Sequence, residues 1–226
     1  MESIVLIPAY NEEKNIASTI GELNSNLQVS EIVVIDDGSE DRTADIAREM
    51  GAKVIRLDKN CGKGSALRKG FDYALNTSAR LIFTMDADGQ HRACDILKLY
   101  THYIKFRSHI VVGNRMNNPL NMPIIRRFTN RVMSRVISIM AGTKIPDSQC
   151  GLKLISRDVL ENINITSRKF EVESELLLQA ARKGYRIDFV DISSVYFPGR
   201  KSKIRPVRDT IRFVKFAVKY FLRYGF

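Results

Sequence analysis

Short apolar segments alternate with helical segments through the first half of the chain, and this alternation restricts the fold more than any other feature. The apolar segments are residues 3–7, 32–35, 53–57, 81–85 and 110–113. Helical periodicity occupies residues 12–27, 41–50 and 64–75 between them. Because short buried strands joined by helical crossovers form parallel sheets covered on both faces, the sequence predicts an α/β fold with a mostly parallel central sheet flanked by helices.

Beyond residue 115 the pattern is looser. It predicts helices over about 125–140 and 171–183, a strand within 186–197 and a last helix over 207–224. No repeat or low-complexity linker divides the 226 residues, so we expect one domain. No apolar run reaches the roughly 18–20 residues of a membrane span, and the N-terminus lacks a secretion signal. The three scattered cysteines match no zinc or disulfide spacing, and we expect an intracellular protein.

The net charge of +11 is unevenly distributed. Residues 96–146 contain no Asp or Glu and nine Lys and Arg, and residues 196–226 contain nine Lys and Arg against one Asp. Such asymmetry indicates an anionic partner, which could be nucleic acid, a membrane surface or a phosphorylated substrate. The alternative is that these basic residues form an ordinary solvent-exposed face and bind no anionic partner. We rank nucleic acid last, because the basic residues accompany amphipathic apolar faces rather than a nucleic-acid motif.

Acidic residues follow three of the first four predicted strands. Glu12 comes after the first strand, Asp36 and Asp37 after the second, and Asp86 and Asp88 after the fourth. In open parallel sheets ligands bind at the carboxyl ends of the strands, so these acids are expected at one edge. Helix caps or turns could explain any single one of them. Together they favour a hard divalent cation that bridges diphosphate oxygens.

Two common nucleotide sites are not supported. The sequence has no G-x-G-x-x-G, and the stretch NCGKG at residues 60–64 lacks the spacing of a Walker motif. The chain therefore predicts neither a Rossmann dinucleotide site nor a P-loop.

Seven short motifs carry a resemblance to a known family. They are IPAYNE (7–12), VIDDGS (34–39), DRT (41–43), NCGKG (60–64), MDADGQH (85–91), VGNR (112–115) and DSQCGLK (147–153). Over residues 3–203 the chain resembles glycosyltransferase family 2, which has the GT-A (nucleotide-diphospho-sugar transferase) fold. Within that family it resembles the polyprenyl-phosphate or dolichyl-phosphate hexose synthases. The resemblance implies a catalytic domain over 1–203, with a nucleotide-binding half (1–115) and an acceptor half (116–203), followed by a basic amphipathic helix over 204–226.

The resemblance also implies a donor site and a metal. The residues that would bind the nucleotide-diphospho-sugar are Pro8, Tyr10, Glu12, Ile35, Asp37, Lys63, Asp86, Ala87 and Asp88. Asp88 and Gln90 would hold Mg²⁺ or Mn²⁺, since carboxylate and amide oxygens are hard ligands. For His91 we expect a structural hydrogen bond rather than metal ligation.

The acceptor implied by the resemblance is a polyprenyl phosphate. Its phosphate would be held by Arg115, Arg126, Arg127, Arg131, Arg200, Ser202 and Lys203, and Arg135 is also well placed. The implied catalytic residues are Asp88, Arg115 and Arg126. A phosphate nucleophile is already anionic, whereas a sugar hydroxyl needs a general base, for which Glu173 or Asp147 would be the candidates.

The last predicted helix is the basis for the expected location of the protein in the cell. Its basic residues recur at helical spacing and are Arg208, Arg212, Lys215, Lys219 and Arg223. The other side carries Ile211, Phe213, Val214, Phe216, Val218, Phe221 and Leu222. This pattern suits a membrane interface, although docking on the domain itself or on a second copy would explain it too. We expect a cytoplasmic protein that is peripheral on the cytoplasmic face of a membrane, either alone or with a membrane-anchored partner subunit.

The sequence thus predicts an inverting, metal-dependent transferase. It would move a hexose from GDP-mannose or UDP-glucose to polyprenyl (dolichyl) phosphate. The first alternative is a family member acting on a sugar or glycolipid hydroxyl, and the remote one is a non-catalytic nucleotide- or membrane-binding member.

Overall fold

The computed structural model describes residues 2–26, 28–117, 119, 122–193 and 206–225, with the backbone alone at 206 and 207. The strands are β1 (Ser3–Ala9), β2 (Glu31–Asp36), β3 (Lys53–Arg56), β4 (Leu81–Thr84), β5 (Ile110–Asn114), β6 (Lys153–Ser156) and β7 (Ile187–Asp191). The helices are α1 (Ile16–Asn26), α2 (Thr43–Glu49), α3 (Lys63–Leu75), α4 (Ala93–Phe106), α5 (Ile124–Ala141), α6 (Arg157–Asn162), α7 (Val172–Arg182) and α8 (Pro206–Tyr224).

The seven strands form one sheet in the order β3-β2-β1-β4-β6-β5-β7. Pairing is parallel throughout except at β6, which runs antiparallel to both β4 and β5. The mostly parallel sheet flanked by helices is therefore confirmed. The three central parallel strands β2, β1 and β4 end at the same edge, as predicted for the acidic strand ends.

Core packing follows from the composition of these strands. β1, β2, β4 and β5 are almost entirely buried, as expected for strands covered on both faces. Helix α3 packs on β1 and β2, α4 packs on β5 and β6, and α7 packs on α5 and β7. The apolar residues of these elements form one continuous core.

Three elements were not predicted, namely α4, β6 and α6. Strand β6 is only four residues long and begins with Lys153, whose charged side chain is nevertheless almost fully buried. A buried lysine contradicts the apolar pattern by which strands are recognised in a sequence. The predicted strand 186–197 is shorter, since β7 ends at Asp191, and residues 194–197 lie outside the described part of the chain.

The first helix also begins later than predicted, at Ile16 rather than Glu12. Residues 13–15 form a turn, in which the Asn15 and Ile16 N–H groups both donate to the Glu12 carbonyl at 2.9 Å. Just before it, Asn11 has a φ of 49°, in the left-handed region, so the helix cannot extend back through that residue. The backbone N–H of Asn11 is held by the Ser39 side chain, and that of Glu12 by Thr43. These contacts tie the loop after β1 to the loop after β2.

Helix α8 has three faces rather than two. Phe213 and Tyr220 are buried against the body of the protein, and the Arg182 guanidinium lies 4.3 Å from the centre of the Tyr224 ring. At about 3.6 residues per turn, the basic residues form a stripe beside the exposed apolar stripe rather than opposite it. The exposed apolar stripe consists of Ile211, Val214, Val218, Phe221 and Leu222. The predicted apolar face is thus corrected for Phe213 and for the partly buried Phe216, because the helix uses that side to dock on its own domain.

Candidate active site

The loops after β1, β2 and β4 meet at one edge of the sheet. Asp37 N–H donates to the Ala9 carbonyl at 2.8 Å, and Met85 N–H donates to the Leu6 carbonyl at 3.0 Å. The carboxyl ends of these strands therefore lie side by side, which places the predicted acidic residues in one region.

Asp37 is buried and binds the start of α3. Its two carboxylate oxygens accept hydrogen bonds from the backbone N–H groups of Cys61 and Gly62, both at 2.7 Å. Gly62 has a φ of 99°, and a Cβ there would collide with the Lys169 side chain, so glycine is required. Burial raises the pKa of Asp37, although the two N–H groups and Lys169 partly offset this effect. The donor-binding role implied for Asp37 stays a prediction.

Four other predicted donor-site residues lie near Asp37. Tyr10 and Pro8 are half-buried and Glu12 is buried, with Asn15 donating to its carboxylate at 2.6 Å. The Ile35 side chain is fully buried and packs at Gly70 of α3, so it belongs to the core.

Lys63 joins two carboxylates at the centre of the site. Its Nζ lies 2.5 Å from Asp86 Oδ1 and 2.6 Å from Glu173 Oε1. Burial alone would lower the pKa of Lys63, but the two carboxylates raise it above its usual range. Burial likewise opposes ionisation of Asp86, yet the Lys63 ammonium holds the pKa of that carboxyl well below its usual range. Both groups are therefore charged at neutral pH.

Glu173 is held by a second lysine. Lys153 forms an ion pair with Glu173 Oε2 and also donates to the Cys150 carbonyl. Although burial opposes it, the charges of Lys153 and Lys63 lower the pKa of Glu173. No role was predicted for Lys153, although it ends the motif at residues 147–153. Its signal in the sequence is a lysine directly before the apolar residues Leu154 and Ile155.

Asp88 differs from Asp86 in that its pKa is raised rather than lowered. Burial and the neighbouring Asp86 carboxylate raise the pKa of Asp88, and the backbone N–H of Gln90 donates to Oδ1 at 3.1 Å. Ala87, between the two acids, is buried. Ionisation of this half-buried carboxylate is unfavourable without a nearby positive charge. A bound cation would supply that charge, so the position suits a cation site.

His91 is buried beside these acids. Its Nε2 lies 3.9 Å from Asp86 Oδ2, while Nδ1 is buried without a hydrogen-bond partner. Burial lowers the pKa of His91, so the ring is neutral at pH 7. Within the described ranges, no group of three or more His, Cys, Asp and Glu side chains could hold a metal ion by itself. Asp88 and Gln90 nevertheless fit Mg²⁺ or Mn²⁺, which commonly take few protein ligands and complete their shell with water and phosphate.

Arg115 follows β5 and is buried, which the sequence did not indicate. Its Nε and Nη2 donate to the Asp147 carboxylate at 2.8 and 2.9 Å. Despite burial, the charge of Arg115 lowers the pKa of Asp147. Cys150 is buried nearby, and burial raises the pKa of its thiol to about 12, so it is no nucleophile at neutral pH.

The predicted acceptor arginines of α5 fall into two groups. Arg126 and Arg127 are half-buried with buried Nε atoms, whereas Arg131 and Arg135 are exposed. The remaining predicted acceptor residues Arg200, Ser202 and Lys203 lie outside the described residues.

Comparisons with known proteins agree with this geometry. The model of the family described as "Glycosyl transferase family 2" matches residues 4–163, well over half of the chain. The UDP-N-acetylglucosamine–dolichyl-phosphate N-acetylglucosaminyltransferase of Methanococcus voltae is 32% identical over 214 residues, covering 85% of this chain and 85% of the relative. The undecaprenyl-phosphate mannosyltransferase of Micrococcus luteus is 29% identical over 207 residues, covering 86% and 84%.

A solved structure shows the same fold. Glucosyl-3-phosphoglycerate synthase from Mycobacterium tuberculosis, in complex with Mn²⁺, UDP and glucosyl-3-phosphoglycerate, superposes with a TM-score of 0.71 at 19% identity. The superposition covers 99% of this chain and 80% of that one.

Proposed function

Because the chain belongs to glycosyl transferase family 2 and has the GT-A fold, we propose that it transfers a hexose from a nucleotide-diphospho-sugar to polyprenyl (dolichyl) phosphate. GDP-mannose and UDP-glucose are the donors expected from the sequence. Two relatives named for transfer to lipid phosphates support this acceptor. In this proposal residues 1–203 are the catalytic domain and residues 204–226 a helix that meets the membrane.

The observation that carries the proposal is that the two candidate general bases, Glu173 and Asp147, are both held in buried ion pairs. Glu173 is ion-paired with Lys63 and Lys153, and Asp147 is ion-paired with Arg115. Both carboxylates are buried and have lowered pKa values, which makes them weak bases. A sugar hydroxyl needs a base to become a nucleophile, whereas a phosphate is already anionic. The site therefore favours a phosphate acceptor over a hydroxyl acceptor.

The donor would lie at the edge of the sheet where β1, β2 and β4 end. Asp37, with Pro8, Tyr10 and Glu12 nearby, would bind the nucleoside, and Asp86 with Lys63 would face the sugar side. Asp88 and Gln90 would hold Mg²⁺ or Mn²⁺, and a UDP-bound relative of the same fold contains Mn²⁺. When bound, such a cation stabilises the negative charge that develops on the leaving diphosphate.

The acceptor phosphate would be positioned by cationic side chains. Arg115, Arg126, Arg127 and Arg131 are the candidates among the described residues, with Arg200, Ser202 and Lys203 expected to close the site. A phosphate oxygen would attack the anomeric carbon as the bond from that carbon to the diphosphate oxygen breaks. A single displacement of this kind inverts the configuration, and the nucleoside diphosphate leaves with the bonding electrons.

The exposed faces of α5 and α8 support membrane association. In α5, Ile124, Ile125 and Phe128 are 85%, 72% and 69% exposed. Helix α8 places its exposed apolar stripe beside its basic stripe, and the two helices contact each other. Such faces insert shallowly while the basic residues attract anionic lipids. No described helix is both long enough and apolar enough to cross a membrane, and we propose peripheral binding at the cytoplasmic face.

The proposal is tested by transfer of labelled sugar into an organic phase. The purified protein would receive polyprenyl phosphate, Mg²⁺ or Mn²⁺, and in separate reactions GDP-mannose, UDP-glucose or UDP-N-acetylglucosamine. Transfer from one donor, with none when the lipid phosphate is replaced by the free polyprenol, is the expected result. Transfer to a glycolipid hydroxyl but not to the lipid phosphate would favour the first alternative, and nucleotide binding without transfer would favour a non-catalytic member.

A further inference from the structure

A chain of four alternating charges runs from the core to the candidate donor site. It comprises Lys153 of β6, Glu173 of α7, Lys63 of α3 and Asp86 after β4. The side chains of Lys153 and Glu173 are 1% and 5% exposed, that of Lys63 is 14% exposed, and that of Asp86 is 27% exposed. Only the Asp86 end therefore approaches the surface.

This arrangement restrains Asp86 from two sides. Lys63 Nζ contacts one of its oxygens, and the backbone of Gly151 faces the other, because a Cβ on Gly151 would lie 2.3 Å from Asp86 Oδ2. The Gly151 carbonyl accepts a hydrogen bond from the Thr84 hydroxyl at 2.8 Å, which fixes the backbone behind Asp86. The Asp86 carboxylate is thus held in place by the Lys63 ammonium on one side and by the Gly151 backbone on the other.

Lys63 is in turn held by Glu173. Without Glu173, the Lys63 ammonium would keep one carboxylate partner and could follow Asp86 or a donor phosphate. Glu173 cannot turn away, because Lys153 binds its second oxygen and is itself anchored on the Cys150 carbonyl. Buried ion pairs add little net stability compared with apolar residues of the same volume, so placement of the charges is the more useful property of such a chain.

We propose that Glu173 and Lys153 are positioning residues, which act through Lys63 to fix the Asp86 carboxylate for the nucleotide-sugar donor. Glu173 is then not the base of the reaction. This inference rests on the proposed function, because it assumes that Asp86 faces a bound donor.

The first test separates positioning from base catalysis by a Glu173→Gln variant. The dissociation constant of the nucleotide-sugar used by the wild type, measured by calorimetry with Mn²⁺ and without lipid phosphate, should rise about tenfold, and the donor KM should rise in parallel. At saturating donor, kcat should stay within about threefold of the wild-type value. Loss of a general base would instead lower kcat by about 10²–10⁴-fold with donor binding unchanged, and that result would overturn the inference.

A second variant guards against misfolding of the first. Lys153→Met combined with Glu173→Gln removes one positive and one negative charge, so the buried site keeps its net charge. We expect the same rise in the donor constants, with the KM for lipid phosphate unchanged.

The control is Asp188→Asn, which disrupts a carboxylate network elsewhere. Asp188 accepts hydrogen bonds from Ser108 and His102 near the end of α4, outside the charge chain. Its loss should lower the melting temperature without changing the dissociation constant. Equal weakening of donor binding in this control would assign the effect to general destabilisation and refute positioning.

Failure of the inference and failure of the proposed function give different results. If the wild type binds nucleotide and transfers sugar while both variants bind the donor as tightly, the positioning role is wrong and the function stands. If the wild type binds no nucleoside diphosphate, the proposed function falls and the inference falls with it.

Discussion

Two parallel hydrogen bonds join the Arg115 guanidinium to the Asp147 carboxylate, and both side chains are buried. The pair links the end of β5 to the loop before β6, because the backbone N–H of Arg115 also donates to Asp147 at 3.2 Å. The resemblance implied Arg115 as a catalytic residue and as a ligand of the acceptor phosphate. Its pairing means that a substitution there alters a buried charge as well as any contact with substrate.

Arg115→Ala should therefore lower the free energy of unfolding by about 3–5 kcal/mol, because it leaves the Asp147 charge buried without its partner. Urea unfolding measures this loss. The double variant Arg115→Met/Asp147→Asn removes both charges and should lose less than the sum of the two single variants. Additive losses would mean that the two residues act independently.

The same pair predicts a pH dependence of stability. The folded-state pKa of Asp147 is below its usual value, so its ionised form contributes stability above the unfolded pKa of about 3.9. This contribution is lost as the pH falls through the lower folded-state value. The stability difference between wild type and Asp147→Asn should be constant between about pH 5 and 7 and shrink only below about pH 4. A difference that already shrinks near pH 6 would contradict the assignment.

Asp88→Ala should abolish both sugar transfer and metal-dependent nucleotide binding. The reason is that burial and the neighbouring Asp86 carboxylate raise the pKa of Asp88, so a cation would favour its ionised form, and only Asp88 and Gln90 are proposed to hold that cation. Calorimetry with UDP or GDP, with and without Mn²⁺, measures the effect. Because the charge of Asp88 is costly in the apo protein, the variant should be as stable as the wild type or more stable. Unchanged metal-dependent binding would remove Asp88 from the metal site.

Gly151→Ala should impair donor binding with little change elsewhere. A Cβ at this position meets the Asp86 carboxylate at 2.3–2.6 Å and must displace it. Gly21→Ala in α1 is the matched control, because its Cβ would meet only Met50 Cε at 3.6 Å, an ordinary contact. The control should be stabilised by about 0.5–1 kcal/mol through helix propensity and bind donor normally. Normal donor affinity in Gly151→Ala would mean that Asp86 has room to move.

Charge substitutions on the exposed stripe of α8 test membrane binding more cleanly than deletion of the helix. Deletion would also uncover the body surface on which Phe213 and Tyr220 pack. Val218→Glu/Leu222→Glu changes only exposed positions and should weaken binding to anionic vesicles at least tenfold, as measured by co-sedimentation. Asp209→Asn is the control expected to retain binding.

If the wild type itself fails to bind vesicles of any composition, a membrane-anchored partner subunit becomes the better explanation. If the double variant binds as the wild type does, the exposed stripe of α8 is not the membrane contact.

The sequence predicted the acidic edge of the site well but not how its charges are paired. Asp37, Asp86 and Asp88 could be placed because the carboxyl ends of parallel strands share an edge whatever the details of packing. The pairing of Lys63 with Glu173 joins residues 110 positions apart, and no local pattern reports such a contact.

Side-chain burial was the second property that the sequence did not reveal. Lys153 in β6 has the residue type of a surface position, and its place in the core follows only from an opposite charge on α7. For the same reason β6 was missed. The three faces of α8 could not be separated either, because periodicity identifies an apolar side without saying which part of it meets the protein.

The position of β6 between β4 and β5 has a consequence for how the chain can fold. Residues 1–115 contain β1 to β5, yet β5 pairs with β6 and β7 and not with β4. Until residues 153–156 are synthesised, β4 is an open apolar edge of a four-stranded sheet, the kind of edge that pairs with other chains. We therefore expect that residues 1–115 do not fold as a separate unit. A fragment ending near residue 115 would need a substitute strand to protect that edge.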